Sequence, residues 1–215
     1  MGLAWVSTKA SKALYYPKVF AAQSQEIFAL LQTLTLSALI NEQGITLPRK
    51  TGWYVSNSCA CPYKYSHQPV EAQAMPSWLE QIMVKVQQVC NPDGPTFNSC
   101  NINLYTDGTQ SCGMHQDNEK LFNAIKAPAC IASLSLGQTR QFTVRNVATG
   151  TWTNKDLHNG DLCTMEGLFQ KEFVHGALAQ PHLTEARFNL TFRTIVTHNP
   201  VCRHSKEAMM SANSN

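Results

Sequence analysis

Arg187-Phe188-Asn189-Leu190-Thr191-Phe192-Arg193 alternates strictly between polar and apolar residues. In a β-strand, successive side chains point to opposite faces. Phe188, Leu190 and Phe192 then seek a core. Arg187, Asn189, Thr191 and Arg193 share the other face, and Ile195-Val196 continues the strand. Two guanidiniums on one face repel unless an anion sits between or above them, and the planar fork of Arg matches a carboxylate. The strand is a candidate wall for a dianionic small molecule. Alone, it reads more readily as a solvated edge strand. Two further segments change that balance. His115-Gln116-Asp117 places an imidazole and a carboxylate at i and i+2, on one face of a strand, and Phe173-Val174-His175 offers a second imidazole. Two His and one Asp with three open positions form the facial triad of non-haem Fe(II) oxygenases. A structural zinc site is normally closed by four ligands, often Cys. A hydrolase of the G-x-S-x-G type has no matching motif in this sequence. His-x-Asp, a later His and an Arg-rich strand, in that order, combine an oxidant site with an anchor for a dicarboxylate.

These blocks resemble the AlkB family of Fe(II)/2-oxoglutarate dioxygenases, which demethylate nucleic-acid bases. The resemblance rests on Met114-His115-Gln116-Asp117-Asn118-Glu119, Ala132-Ser133-Leu134-Ser135-Leu136-Gly137, Gly160-Asp161-Leu162-Cys163-Thr164-Met165-Glu166-Gly167 and Arg187–Arg193. Upstream it takes in Asn103-Leu104-Tyr105, Pro48-Arg49-Lys50, Trp53-Tyr54 and Tyr63-Lys64-Tyr65-Ser66. It covers residues 45–197, and the order of blocks is most similar to the eukaryotic branch that repairs alkylated DNA and RNA.

The resemblance implies roles. His115, Asp117 and His175 hold Fe(II), leaving positions for 2-oxoglutarate and O2. Arg187 pairs with the distal carboxylate of 2-oxoglutarate, Arg193 lies near the iron-binding end, and Asn103, Tyr105 and Asn189 add hydrogen bonds. The products are succinate, CO2, formaldehyde and the repaired base. A base in a duplex must be flipped or already unpaired to reach such a site, and it then needs an aromatic face. By the same resemblance Tyr65 stacks on the base opposite His115 and Tyr63 offers a hydroxyl; Trp53 and Tyr54 are candidates to line the entry. Glu119 favours cationic 1-methyladenine and 3-methylcytosine over neutral bases. Val55, the Ser56–Pro62 insertion and Asn118 depart from the family pattern, and they bear on substrate choice more than on iron chemistry.

Composition sets bounds. With 215 residues, the chain suffices for one domain with a substantial core. No apolar run is long enough to span a bilayer, so no membrane partner is expected. A net charge of +3 permits a nucleic-acid partner without demanding one. Arg49, Lys50, Lys64, Arg140, Arg145, Lys155, Lys171 and Arg203 are candidates for a basic patch, with solvated surface charge the plainer expectation for most. Eight scattered Cys and no secretory signal suggest reduced thiols in an intracellular protein, nuclear or cytoplasmic, and a monomer. The Lys-bearing, Arg-free start is only a faint match to an organelle transit peptide. Cys59-Ala60-Cys61 would bind a metal only with help from elsewhere; free surface thiols are the plainer reading.

The expected fold is mainly β with flanking helices, a double-stranded β-helix or jelly-roll barrel. Residues 1–44 form an irregular lead-in and a buttressing helix over about 22–40; residues 45–97 form a nucleotide-recognition lid and a second helix; residues 98–198 form the core; residues 199–215 form a polar, disordered tail. Ser77 and Glu80 read as a capping box before Trp78, Leu79, Ile82, Met83, Val86 and Val89, which recur at helical spacing. Three other readings stay open: an oxygenase acting on N6-methyladenine RNA, a protein or a small molecule; a non-enzymatic cupin-like metal-binding module; and a β-domain whose His and Asp are merely hydrogen-bonded.

Overall fold

The computed structural model describes residues 1–41, 43–56, 59–65, 68–199 and 202, with the backbone alone for Lys64, Tyr65, Gln68 and Pro69. The chain begins with strands β1 (Leu3–Ser7) and β2 (Ser11–Tyr16), then helix α1 (Ser24–Gln32) and strands β3 (Ser37–Ile40) and β4 (Thr46–Val55). Short strands β5 (Tyr63–Tyr65), β6 (Gln68–Val70) and β7 (Ala72–Ala74) precede helix α2 (Ser77–Cys90). The remainder is β8 (Ser99–Tyr105), β9 (Cys112–His115), β10 (Ala129–Gly137), β11 (Arg140–Asn146), β12 (Trp152–Leu157), β13 (Leu162–Gly167), the single turn α3 (Phe169–Glu172), β14 (Phe173–Ala177) and β15 (Arg187–Arg193).

The strands form two packed sheets, the jelly roll expected from the sequence. The large sheet runs β1-β2-β13-β10-β15-β8-β4-β3, with β7 also paired to β4, and the small one runs β12-β11-β14-β9. A separate β5-β6 hairpin lies off both. Alternation along β15 decides what each face of the large sheet meets. Phe188, Leu190 and Phe192 are buried with Ile27 and Leu31 of α1, Leu79, Met83 and Val86 of α2, and Leu134 and Leu136 of β10. The helices thus cover the outer face. The inner face meets the small sheet, where Ile131 and Met165 cluster with Val144 and Phe173. Burying one Leu- or Phe-sized side chain contributes roughly 1.5–3 kcal/mol. This apolar row therefore holds its polar partners in register against the second sheet.

Four local expectations are corrected. The first 20 residues are not irregular: β2 pairs antiparallel with β13, Leu14 opposite Thr164, and β1 pairs with β2 to form that edge of the sheet. The buttressing helix stops at Gln32. Thr33 caps it by donating its Oγ1 hydrogen to the Leu30 carbonyl at 2.7 Å, and Ser37–Ile40 turns to pair with β4. The β-branched Thr33 and Thr35 favour that change. Helix α2 begins after Pro76 rather than at a Ser77 capping box: Pro76 sits at the cap with φ −66° and ψ 150°, and its carbonyl accepts the N–H groups of Leu79 and Glu80. Strand β15 ends at Arg193, where Asn98 Oδ1 accepts the Ile195 N–H and the Leu121 carbonyl accepts the Val196 N–H. Among the described residues no helix is long and apolar enough to cross a membrane. Beyond Asn199 only Cys202 of the expected tail falls within them.

Candidate active site

The two sheets enclose a cleft of about 540 Å3, counted out to its open mouth. Its floor follows from strand register. On β15, Arg187, Asn189, Thr191 and Arg193 lie opposite Tyr105, Asn103, Asn101 and Ser99 of β8. On the other side, Asn189 and Thr191 face Ser135 and Ser133 of β10. Side chains at period two therefore converge from three strands into one polar row. The small sheet supplies the opposite wall, with His115 on β9 directly across from His175 on β14.

Asp117 is not on the same strand face as His115, as the i, i+2 spacing had suggested. Strand β9 ends at His115, and Asp117 follows in a loop whose position is held by its own N–H donating to Gln170 Oε1 at 2.9 Å. The fully buried Asp117 carboxylate still meets both imidazoles: Oδ1 lies 3.6 Å from His115 Nε2 and 4.0 Å from His175 Nε2. The three ligand atoms lie within 4.8 Å of one another. The Gly113 carbonyl, 2.8 Å from His115 Nδ1, accepts its hydrogen and so turns Nε2 toward Asp117 as the nitrogen that would meet a metal. Asp117 Oδ1 is buried and accepts no hydrogen bond. An orphaned buried carboxylate oxygen is costly, and it is the kind of atom a divalent cation satisfies. The donor set and this orphan fit Fe(II).

The electrostatics agree. Burial pushes His175 down to about 3, with the charges of His115 and Arg193 adding, so it is a neutral ligand. Burial works against Asp117's charge, yet Arg193 first, then His175 and His115, hold its carboxyl at about 2. Burial also opposes charge on His115, but Cys112, Asp117 and the Gly113 carbonyl raise it to about 9. A divalent cation held by the three residues would take the place of that proton beside Asp117.

The two arginines differ in a way the strand pattern does not reveal. Arg193 donates from Nε at 2.9 Å and Nη2 at 2.7 Å to Asp117 Oδ2. Burial disfavours its charge, but Asp117 raises it above the ordinary range. Its Nε and Nη2 are therefore engaged by a metal-ligand candidate, while its Nη1 is buried without a partner. Arg187 is equally buried but donates only to Ser135 Oγ at 2.8 Å and Asn189 Oδ1 at 3.3 Å, and its Nε has no partner. Burial, with Arg140 adding and Tyr105 opposing, lowers it to about 10. The Tyr105 ring lies 5.8 Å from the Arg187 guanidinium and 5.3 Å from that of Arg140.

Several residues expected at the surface lie inside. Arg49 is 4% exposed and lines the cleft, donating from Nε to Asn103 Oδ1 at 3.1 Å and from Nη1 to the Ser111 carbonyl at 3.1 Å. The signal was available: Arg49, Thr51 and Trp53 alternate along β4, and Thr51 sits opposite Asn103. Arg140 is buried and binds the carbonyls of Asp107, Gln110 and Leu178. Lys50 and Lys171 are exposed, as expected; Arg203 and the side chain of Lys64 lie outside the described residues. Cys59 and Cys61 are buried, not surface thiols.

The base-recognition candidates divide. Tyr63 is buried, lines the cleft, and has its ring 5.8 Å from the Arg193 guanidinium. Trp53 does not line the mouth: it is fully buried behind Tyr63, stacked at 5.0 Å and 28°, with Nε1 donating to the Cys61 carbonyl at 2.9 Å. Glu119 is half-buried and hydrogen-bonds with Tyr63 through one side of its carboxyl, while Oε2 is buried without a partner. Burial and the Asp117 charge raise its pKa. The side chain of Tyr65 lies outside the described residues.

The pattern of the 2OG-Fe(II) oxygenase superfamily matches residues 15–193. The alpha-ketoglutarate-dependent dioxygenase alkB homolog 3 of Rattus norvegicus is 34% identical over 157 residues, covering 69% of this chain and 50% of that protein. The homolog 3 of Homo sapiens is likewise 34% identical, covering 69% of this chain and 52% of its own length. The DNA oxidative demethylase ALKBH2 of Mus musculus is 27% identical over 159 residues, covering 70% and 63%. The chain thus spans about half the length of the homolog 3 proteins that it matches. The solved structure of OsALKBH1 superimposes with a TM-score of 0.60 at 18% identity, covering 85% of this chain and 97% of that one, a likeness of fold. Strand order, cleft and matched span agree, and the chain belongs to the 2OG-Fe(II) oxygenase superfamily and, within it, to the AlkB family, whose chemistry uses Fe(II), 2-oxoglutarate and O2.

Proposed function

We propose that this chain is an oxidative demethylase of N-alkylated nucleobases, of the 1-methyladenine and 3-methylcytosine type, in DNA or RNA. The observation that carries the reading is one cleft holding both an open His115-Asp117-His175 triad and Arg187, a buried guanidinium hydrogen-bonded to the neutral Ser135 and Asn189. Fe(II) at the triad, with 2-oxoglutarate and O2, supplies the oxidation that hydroxylates an N-methyl carbon. The chain's own residues position the reactants. His115, Asp117 and His175 would hold the iron; Arg193 holds Asp117 so that Oδ1 faces the imidazoles. Arg187 takes the distal carboxylate of 2-oxoglutarate, flanked by Tyr105, Asn103 and Asn189. The hydroxymethylated base then loses formaldehyde unaided, so no protein nucleophile is required. Succinate and CO2 are the co-products.

A nucleic-acid substrate is supported by the likeness to a protein named DNA oxidative demethylase and by the pair Tyr63 and Glu119 beside the triad. Burial and the Asp117 charge raise the Glu119 pKa, and a cationic methylated base beside it draws it back down, so the carboxylate favours the cationic base. The base must reach this cleft flipped or unpaired, and Tyr65 on β5 is the proposed stacking platform. The test is a mass-spectrometric screen of methylated single- and double-stranded oligonucleotides with iron-loaded protein. His115→Ala, Asp117→Ala and His175→Ala are each expected to abolish 2-oxoglutarate turnover. Substantial turnover in all three overturns the iron site; succinate formation without loss of any methyl group overturns the nucleic-acid substrate.

A further inference from the structure

A second ligand cluster lies away from the triad. Cys59 and Cys61 come just before β5, and His198 and Cys202 follow β15, so two segments far apart in the sequence meet here. His198 Nδ1 lies 3.6 Å from Cys59 Sγ, 3.6 Å from Cys61 Sγ and 3.7 Å from Cys202 Sγ, and the Cys59 and Cys202 sulfurs are 3.8 Å apart. A tetrahedral zinc with Zn–S of about 2.3 Å and Zn–N of about 2.1 Å requires S···N separations of about 3.6 Å and S···S of about 3.8 Å. The observed distances meet both values. The three cysteines are buried, and His198 is half-buried. The Asn199 N–H donates to Cys61 Sγ at 3.2 Å, the kind of outer hydrogen bond that orients a thiolate ligand.

We propose that Cys59, Cys61, His198 and Cys202 form a closed structural zinc site. Three thiolates and an imidazole select zinc over the harder cations, and four protein ligands leave no position for a substrate. A Cys59–Cys202 disulfide is the competing arrangement, but the sulfurs stand at 3.8 Å where a bond needs about 2.0 Å. The site ties the segment between β4 and β5 to the segment after β15. Its consequence, resting on the demethylase reading, is transmitted through Cys61: its carbonyl binds Trp53, Trp53 stacks on Tyr63, and Tyr63 lines the cleft beside Arg193. The metal thereby fixes the base-side wall without touching the reacting atoms.

The full chain, produced in zinc-replete medium and purified under reducing conditions, is expected to carry about one zinc per chain, counted separately from iron by elemental mass spectrometry. Asp117→Ala should keep that zinc, and Cys61→Ser and Cys202→Ser should lose most of it. Substitution of the parent protein with Co(II) should produce thiolate-to-cobalt charge-transfer bands and intense tetrahedral d–d bands, and this measurement stands even if the Cys variants fail to fold. A parent protein with neither zinc nor those bands overturns the proposal. So does a two-hydrogen mass loss mapped to Cys59–Cys202 in the reduced preparation. Neither measurement depends on demethylation, so failure here is distinct from failure of the proposed activity.

Discussion

Replacing Arg187 by Ala removes the buried guanidinium that donates to Ser135 and Asn189. Both partners are neutral, and burial has already lowered Arg187 to about 10, so the cation is poorly compensated before an anion arrives. A carboxylate entering the cleft gains a charge-assisted bond in a dry site, which contributes about 1.5–3 kcal/mol. At 1.36 kcal/mol per decade that is roughly a 10- to 150-fold rise in KM for 2-oxoglutarate. The triad is separate from Arg187, so iron content should be unchanged and kcat at saturating 2-oxoglutarate should fall far less than kcat/KM. Arg187→Lys keeps a charge but not the two-pronged fork and should lie between parent and Ala. Lys155→Ala, whose ammonium sits 4.0 Å over the Tyr15 ring away from the cleft, is the control and should match the parent. The assay is succinate formation against 2-oxoglutarate concentration, with iron quantified on each sample. An unchanged KM in Arg187→Ala would refute the assignment of this guanidinium as the carboxylate seat.

Arg193→Gln should act on the metal instead: it releases Asp117 Oδ2, and outer-shell partners of this kind typically change metal affinity by about 10- to 100-fold. Fe(II) titration should show that loss, and a change confined to 2-oxoglutarate KM would reverse the roles given to the two arginines. Glu119→Gln should reduce activity on 1-methyladenine oligonucleotides more than on those with a neutral methylated base, read as a ratio of kcat/KM; equal losses would remove Glu119 from recognition. Tyr65→Ala should weaken oligonucleotide binding by roughly 1–3 kcal/mol while Tyr65→Phe keeps most of it, and unchanged affinity in the Ala variant would move the stacking platform elsewhere. Asp161→Ala tests the fold: its buried carboxylate accepts from the Tyr15 hydroxyl at 2.7 Å, the Lys18 N–H at 2.8 Å and the His158 N–H at 2.7 Å. Orphaning these donors should cost about 3 kcal/mol, lowering Tm by roughly 6–12 °C in calorimetry, and a shift under 2 °C would mean water replaces the carboxylate at no cost.

What the sequence determined by itself is the chemistry and the architecture. Period-two alternation is a local property, so Phe188, Leu190 and Phe192 on one face and Arg187, Asn189, Thr191 and Arg193 on the other were legible from seven residues, and the structure places them so. The types and order of His115, Asp117 and His175 likewise named a metal before any coordinates, because few residue sets leave open positions on a hard-to-borderline cation. Helix α2 was readable from its apolar spacing. Beyond this, local pattern fails where partners are distant. Strands β1 and β2 show little alternation in sequence; β13 offers β2 an edge to pair with, and β2 in turn offers one to β1. Buried Arg49 and Arg140 look like surface charge until the carbonyls and amide that satisfy them, from residues 30 to 62 positions away, are in place.

Only the tertiary structure decided which arginine serves which partner. Both lie on one strand face, but only Arg193 meets Asp117, 76 positions earlier, and that contact follows from a loop held by Gln170. The same holds for the cysteines. Cys59-Ala60-Cys61 is half of a ligand set, and its other half, His198 and Cys202, lies nearly 140 residues along the chain. Spacing reports what neighbours can do together; burial, charge pairing and four-fold coordination depend on which distant segments the packed sheets bring within a few ångströms.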